Sequence, residues 1–199
     1  MATDFNIIIH IILSQAEAGI VFLALLRSQN VQLKELVLTD WKFSYKWGHR
    51  GKLFNKLVKF LGSQRNLEIL SMRNACFGLG EAMRLLAAVL KASNSILHQL
   101  DLRGAFRDWQ TAHTNPKYVH SFEHFTALTD IRLDYSAVSD AVLSTLSQHG
   151  ILTYLHVSVR ASDNHQHLLS EHVWNLLSIS CPNLKVSLSV GKIFHMKIL

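Results

Sequence analysis

Histidines are the side chains in this sequence whose type best suits metal chemistry, and the 199 residues contain twelve of them. His120 and His124 are one helical turn apart, and His165, His167 and His172 form a second group. A zinc ion requires three or four protein ligands in a tetrahedral arrangement. No cysteine or acidic residue obviously converges with either group, so we predict polar histidines on helices and loops, and no metal.

Catalytic motifs are missing from the sequence. It contains no G-x-S-x-G elbow, no G-x-x-x-x-G-K-[ST] loop and no H-E-x-x-H helix, and the segment CFGLGEAM lacks the third glycine of a dinucleotide fingerprint. Cys76 and Cys181 are the only cysteines, and neither has a second cysteine at metal-ligand spacing. This usage indicates reduced thiols in a cytoplasmic or nuclear protein. We predict that the chain is not an enzyme and binds no cofactor.

Composition and charge describe one globular domain. Hydrophobic residues make up 49% of the chain and charged residues 17%, with only two prolines. The net charge of +6 favours acidic partners in general but carries no information about the fold. The apolar segment 5–26 is long enough to cross a bilayer, yet Glu17 lies near its middle, where an acid is costly. We therefore predict no membrane association, and read Ser14 to Glu17 as a capping box that starts a helix.

The strands and helices that position the histidines and cysteines can be predicted from an internal repeat with the skeleton L-x-x-L-x-L. Its first leucines are separated by irregular intervals close to the length of one strand plus one helix. Five copies keep the spacing, and a sixth, in CPNLKVSLSV, keeps Leu184, Leu188 and Val190 imperfectly. The five are Leu33, Leu36 and Leu38; Leu67, Leu70 and Met72; Leu97, Leu100 and Leu102; Leu128, Ile131 and Leu133; and Leu152, Leu155 and Val157.

Helical segments lie between these copies. The second, GEAMRLLAAVLKAS, is predicted to bury Met83, Leu86 and Leu90, while Asn115 and Ser139 or Asp140 are predicted caps. Alternating strands and helices with leucines at fixed offsets predict an α/β fold: a leucine-rich repeat solenoid of about six irregular repeats, with parallel strands on the concave face. A doubly wound α/β domain is the alternative. We assign 1–32 to an N-terminal apolar segment and capping helix, 33–190 to the solenoid and 191–199 to an uncapped tail.

The concave face provides the candidate binding residues. Side chains alternate across a strand, so the position between the last two leucines and the position after them point away from the core. We expect Asp101 beside Arg132, and Arg103 beside Asp134. These residues either form cross-strand ion pairs or present a polar surface to a partner protein. The candidates for partner binding are Arg73, Asp101, Arg103, Arg132, Asp134 and His156.

A basic patch occupies residues 42–66, which contain seven lysines or arginines and no acid. Four aromatic residues alternate with the first cations, from Trp41 to Trp47, and at least two of the four are expected in the core. The patch is either a solvated helix face, a contact for an acidic protein or, less favoured, a nucleic-acid site. Its cations are Lys42, Lys46, Arg50, Lys52, Lys56, Lys59 and Arg65.

Three stretches carry a family resemblance: LTDWKFSYKW, the segment LFNKLVKFLGSQRNLEILSMRNACFG that follows it, and VWNLLSISCPNLKVSLSV. Together with the irregular repeats, they resemble the leucine-rich repeat region of F-box only proteins of the 33 and 39 type, over roughly residues 28 to 190. The resemblance implies a non-catalytic substrate receptor of a Skp1-cullin-F-box ubiquitin ligase, with a protein substrate on the concave face.

The sequence departs from that family in one respect. No F-box-like stretch with its leading Leu-Pro precedes residue 28, so we expect Skp1 and cullin to bind only if an F-box is supplied. The uncapped end at HMKIL suggests a fragment or a shortened isoform. A leucine-rich scaffold unrelated to ubiquitin, and a nucleic-acid binder that uses the 42–66 patch, remain alternatives.

Overall fold

The computed structural model describes residues 7–12, 24–25, 27, 31–39, 50–106, 114–160 and 168–191. The predicted capping box at 14–17, the aromatic run 41–47 with Lys42 and Lys46, and the tail 192–199 lie outside these residues. The same is true of His165 and His167, and only the backbone is described for 7–12, Thr39 and Arg50.

Seven strands form one sheet within the described part of the chain, in the order of the sequence. Every neighbouring pair is parallel. The strands are β1 (Ile7–Ile12), β2 (Leu33–Thr39), β3 (Ile69–Ser71), β4 (Gln99–Asp101), β5 (Asp130–Asp134), β6 (Tyr154–Val159) and β7 (Lys185–Val190).

Helices connect β2 to β7, and each packs beside the next helix in the sequence. Asn115 and Ser139 cap two of them with their side chains, as predicted. The helices are α1 (Arg50–Leu61), α2 (Leu79–Ser93), α3 (Pro116–Glu123), α4 (Asp140–Ser147) and α5 (Glu171–Ser180). The prediction of an α/β fold with parallel strands and alternating helices is confirmed.

The strand pairing follows the repeat skeleton. Leu36 pairs with Leu70, Leu70 with Leu100, Leu100 with Ile131, and Ile131 with Leu155. Each of the fifteen skeleton residues in the first five copies exposes 2% of its surface or less. Strands β2 to β6 therefore bury the same face of the sheet. A doubly wound sheet reverses its strand order at a switch point, and this sheet does not.

The N-terminal apolar segment, to which no strand was assigned from the sequence, contains β1, because a run of β-branched isoleucines fits a sheet. Two predictions about the elements need correction. In the sixth copy, Val186 and Leu188 pair with Leu155 and Val157, so Leu184 is out of phase with the skeleton. In α2, Met83 and Leu90 are half-buried, whereas Ala82, Leu85, Leu86 and Val89 are buried.

No helix in the described ranges has both the length and the apolar composition needed to cross a membrane.

Candidate functional site

The candidate site is the face of the sheet opposite the helices, which we call the open face. Its side chains alternate with the buried leucines along each strand. The strand register aligns them in rows across the sheet. One row contains Gln99, Asp130, Tyr154 and Lys185, and the next contains Ser71, Asp101, Arg132, His156 and Ser187.

Two arginine–aspartate pairs lie at the centre of the open face. Arg103 donates to both carboxylate oxygens of Asp101, from Nε over 2.9 Å and from Nη2 over 2.6 Å. Arg132 binds Asp130 in the same forked manner, over 3.1 and 2.9 Å. These hydrogen bonds to carboxylates raise the pKa of both guanidinium groups above the usual value. Both arginines are thus charged and held in fixed orientations.

The predicted register between the strands of Asp101 and Arg132 is confirmed, but the predicted ion pairs between the two strands are wrong. Asp101 and Arg132 are Cα partners on neighbouring strands, as predicted. The closest ion pairs, however, run along the strands, from Arg103 to Asp101 and from Arg132 to Asp130. Side chains two positions apart on a strand share one face, so a long guanidinium group reaches its own strand's carboxylate as easily as a neighbour's.

Asp134 fixes the end of the open face. Its Oδ2 atom accepts a hydrogen bond from the backbone N–H of Gly104 over 2.6 Å, which joins β5 to the turn after β4. Arg160 Nη2 donates to the same oxygen over 3.0 Å, instead of the predicted Arg103. Asp134 exposes only 3% of its surface, so its charge is available to these donors rather than to solvent.

Tyr154, His156 and Arg132 form a stacked group beside the ion pairs. The Arg132 guanidinium lies 5.5 Å from the Tyr154 ring centroid, within cation–π distance. The Tyr154 and His156 rings stack at 6.5 Å between centroids. His156 contacts Ser187 Oγ over 3.2 Å and Ser189 Oγ over 3.0 Å. Burial, followed by the charges of Arg103 and Arg132, lowers the pKa of His156, so its ring is neutral at neutral pH.

Sequence reasoning missed three members of this site. Asp130 and Tyr154 were predictable, because the same alternation that selected Arg132 and His156 places the residues two positions earlier on the same face. Arg160 lies beyond the repeat skeleton, and its contact with Asp134 has no signal in the pattern. Arg73 is exposed, as expected of a surface candidate.

The predicted histidine pair is observed on α3. His120 Nε2 and His124 Nε2 are 3.0 Å apart, and Glu123 Oε2 lies 2.5 Å from His120 Nδ1. All three side chains are exposed. The ligand atoms of His120, Glu123 and His124 all lie within 4.8 Å of one another, so the prediction that no acidic residue converges with this histidine pair is wrong. The three side chains provide three ligands, the smallest number that a zinc site takes from a protein.

The basic patch is divided between described and undescribed residues. Lys52, Lys56 and Lys59 are all exposed on α1, at helical spacing that places them on one side of the helix. Arg65 is also exposed, and its backbone N–H donates to Gln32 Oε1 over 2.7 Å. The three lysines therefore form an exposed stripe on α1, on the helix side of the sheet, and Arg65 is exposed in the segment after that helix.

No family model matches this chain. In the described residues, the open face offers fixed guanidinium donors, carboxylate acceptors, an aromatic ring and hydroxyl groups, which suit binding to a polar surface.

Proposed function

We propose that the chain is a leucine-rich repeat array that binds a partner protein on its open face. Three observations support the repeat assignment: the parallel strands follow one another in sequence order, the helices form one layer, and the leucines of five copies are in register. The turns after the strands also repeat: Ala75 N–H donates to Met72 O over 3.1 Å, and Ala105 N–H donates to Leu102 O over 3.0 Å.

A repeated backbone hydrogen bond supports the same assignment. At or just before the start of each strand from β3 to β7, a backbone N–H donates to a carbonyl of the preceding repeat. These bonds run from Glu68 to Lys34, Gln99 to Glu68, Asp130 to His98, Tyr154 to Thr129 and Lys185 to Thr153. Each repeat is thus joined to its neighbour in one way, which is the property expected of a one-dimensional array.

The observation that carries the binding proposal is the ordered group of Arg103, Arg132 and Tyr154. Arginine and tyrosine are enriched among the residues that dominate binding energy at protein interfaces. The aspartates and the Tyr154 ring hold the guanidinium groups, so a partner binds them without ordering flexible chains. The remaining donor capacity of each guanidinium suits carboxylates or carbonyls of a partner protein.

By its resemblance to F-box only proteins of the 33 and 39 type, we propose that the partner is a substrate for ubiquitination. In this role the chain performs no catalysis, and the other subunits of a Skp1-cullin-F-box ligase transfer ubiquitin. The support is the sequence resemblance of the repeat stretches, together with an open face suited to protein binding.

Affinity purification of the tagged chain from cells with the proteasome inhibited, followed by mass spectrometry, tests this proposal. The proposal predicts recovery of Skp1 and cullin through a partner that supplies the F-box, and the further specific proteins recovered are candidate substrates. A reproducible protein partner recovered without Skp1 and cullin would support protein binding by this chain and contradict its role in a ligase. Recovery of nucleic acid alone, in a salt-sensitive manner, would contradict both.

A further inference from the structure

The outer edge of β7 has hydrogen-bonding groups that no described residue uses. Among the described residues, β7 is the last strand of the sheet and pairs only with β6. Lys185 N–H donates to Thr153 O over 2.9 Å, and Gly191 N–H donates to Val159 O over 2.8 Å. Because backbone groups alternate in direction along a strand, the N–H and C=O groups of Val186, Leu188 and Val190 point to the free edge.

The same three residues expose apolar side chains. Val186 and Leu188 pair with Leu155 and Val157, which are core residues, so their side chains lie on the helix side of the sheet. Val186 exposes 47% of its surface, Leu188 65% and Val190 66%. A strand edge with free amides and apolar side chains is a template for another strand.

The sequence of β7 indicates which strand fits it. Residues 186–190 read Val-Ser-Leu-Ser-Val, a palindrome centred on Leu188. If two copies of β7 pair antiparallel about a two-fold axis at Leu188, Leu188 faces Leu188, each valine faces a valine and each serine faces a serine. The outward-pointing groups then fall at the hydrogen-bonded pairs, where each pair exchanges two N–H···O=C bonds.

Charge also permits this arrangement. Residues 186–190 contain no charged side chain and no proline, which are two of the features that block an edge strand. In the two-fold register, Lys185 faces Gly191 of the other copy, so the two lysines lie at opposite ends of the strand pair. No like charges meet in the centre.

From these observations we propose that the chain forms a homodimer in which the β7 strands of two copies pair antiparallel about a two-fold axis at Leu188. The interface is isologous, as in most homodimers. The sheets of the two copies become continuous, and the exposed apolar side chains of each copy pack against their equivalents. This dimer does not depend on the proposed ligase role, since it uses the sheet edge and not the Arg132 group.

Engineered cysteines test the register directly. In Leu188→Cys, the two new thiols face each other with Cα atoms about 5.5 Å apart, which suits a disulfide. In Val186→Cys, they are separated by four residues along the strand, about 14 Å, which is too far. We expect oxidation to cross-link Leu188→Cys but not Val186→Cys, and a mixture of Val186→Cys with Val190→Cys to cross-link. The unsubstituted chain, which contains Cys76 and Cys181, gives the background.

The mass in solution tests the dimer itself. Light scattering after size exclusion should give twice the chain mass for the wild type, and one chain mass for Leu188→Lys, in which two like charges face each other. Leu168→Lys, at an exposed leucine outside β7, is the matched control and should stay dimeric. Circular dichroism verifies that the variants fold. A monomeric wild type, or equal cross-linking of Val186→Cys alone and Leu188→Cys alone, would overturn the proposal.

Discussion

The carboxylate of Asp134 accepts the backbone N–H of Gly104 over 2.6 Å and so closes the turn that follows β4. Gly104 adopts a positive φ of 66°, a conformation that glycine accepts without steric cost. The side chain of one strand therefore fixes the backbone of the neighbouring repeat. This contact explains why Asp134 is buried on a face otherwise suited to binding.

Gly104→Ala should destabilise the chain by about 1 to 3 kcal/mol, because positive φ is strained for alanine. A Cβ atom there would also lie 3.0 Å from Asn74 Cα and 2.6 Å from Arg160 Nη2. Urea unfolding followed by circular dichroism measures the change. Gly80→Ala in α2 is the control, since its Cβ meets nothing within 4 Å. Equal stabilities for the two variants would contradict this explanation.

Tyr118→Phe should leave stability unchanged or raise it by up to about 1 kcal/mol, because an unpaired buried hydroxyl costs free energy. Tyr118 is fully buried, and its hydroxyl has no hydrogen-bond partner among the described residues. Burial, with a smaller effect of the Asp134 charge, raises the pKa of its phenol well above the usual range. The measurement is the free energy of unfolding in urea.

The packing of the Tyr118 ring provides the control for that measurement. The ring makes edge contacts with Phe106 at 5.6 Å and Phe122 at 4.9 Å between centroids. Tyr118→Leu removes these contacts along with the hydroxyl and should destabilise the chain, since aromatic pairs contribute about 0.5 to 1.5 kcal/mol beyond area burial. Loss of stability in Tyr118→Phe as large as in Tyr118→Leu would reveal a partner for the hydroxyl.

His156 should make stability depend on pH. Its folded pKa is lowered below the usual value of 6.5, so the unfolded chain binds the proton more readily. The contribution of the neutral ring is therefore fully present above pH 6.5 and decreases as the pH falls from there towards the folded pKa. His156→Gln, which does not titrate, should lose less stability than the wild type between pH 7.5 and pH 5.5. Parallel losses in both proteins would exclude His156 as the cause.

The repeat pattern predicted the elements and the strand register because burial of leucines on one face fixes both. Asn115 and Ser139 marked helix starts, since their side chains satisfy free backbone N–H groups. The ion pairs were not predictable in the same way. Asp101 has one arginine two residues along its strand and another across the sheet, and the choice between them depends on side-chain rotamers.

The buried face of α2 was also predicted incorrectly from the sequence. Met83 and Ala82 are adjacent in the sequence, and a pattern read from large apolar residues favours Met83. The small side chain of Ala82 is nevertheless the buried one. A helix that packs closely against a sheet accepts a small residue at the contact, and hydrophobic periodicity does not record that distance.

The most direct test of the central claim is quantitative partner capture with open-face variants. Once purification has identified a partner, its affinity should be measured for the wild type, Arg132→Glu, Tyr154→Ala and the control Lys56→Glu on exposed α1. We expect the two open-face variants to weaken binding at least tenfold, because interface hot spots cost about 2 kcal/mol or more when removed, with folding verified by circular dichroism. Lys56→Glu should bind as the wild type does. Unchanged affinity in both open-face variants, or loss in Lys56→Glu alone, would contradict binding on the open face.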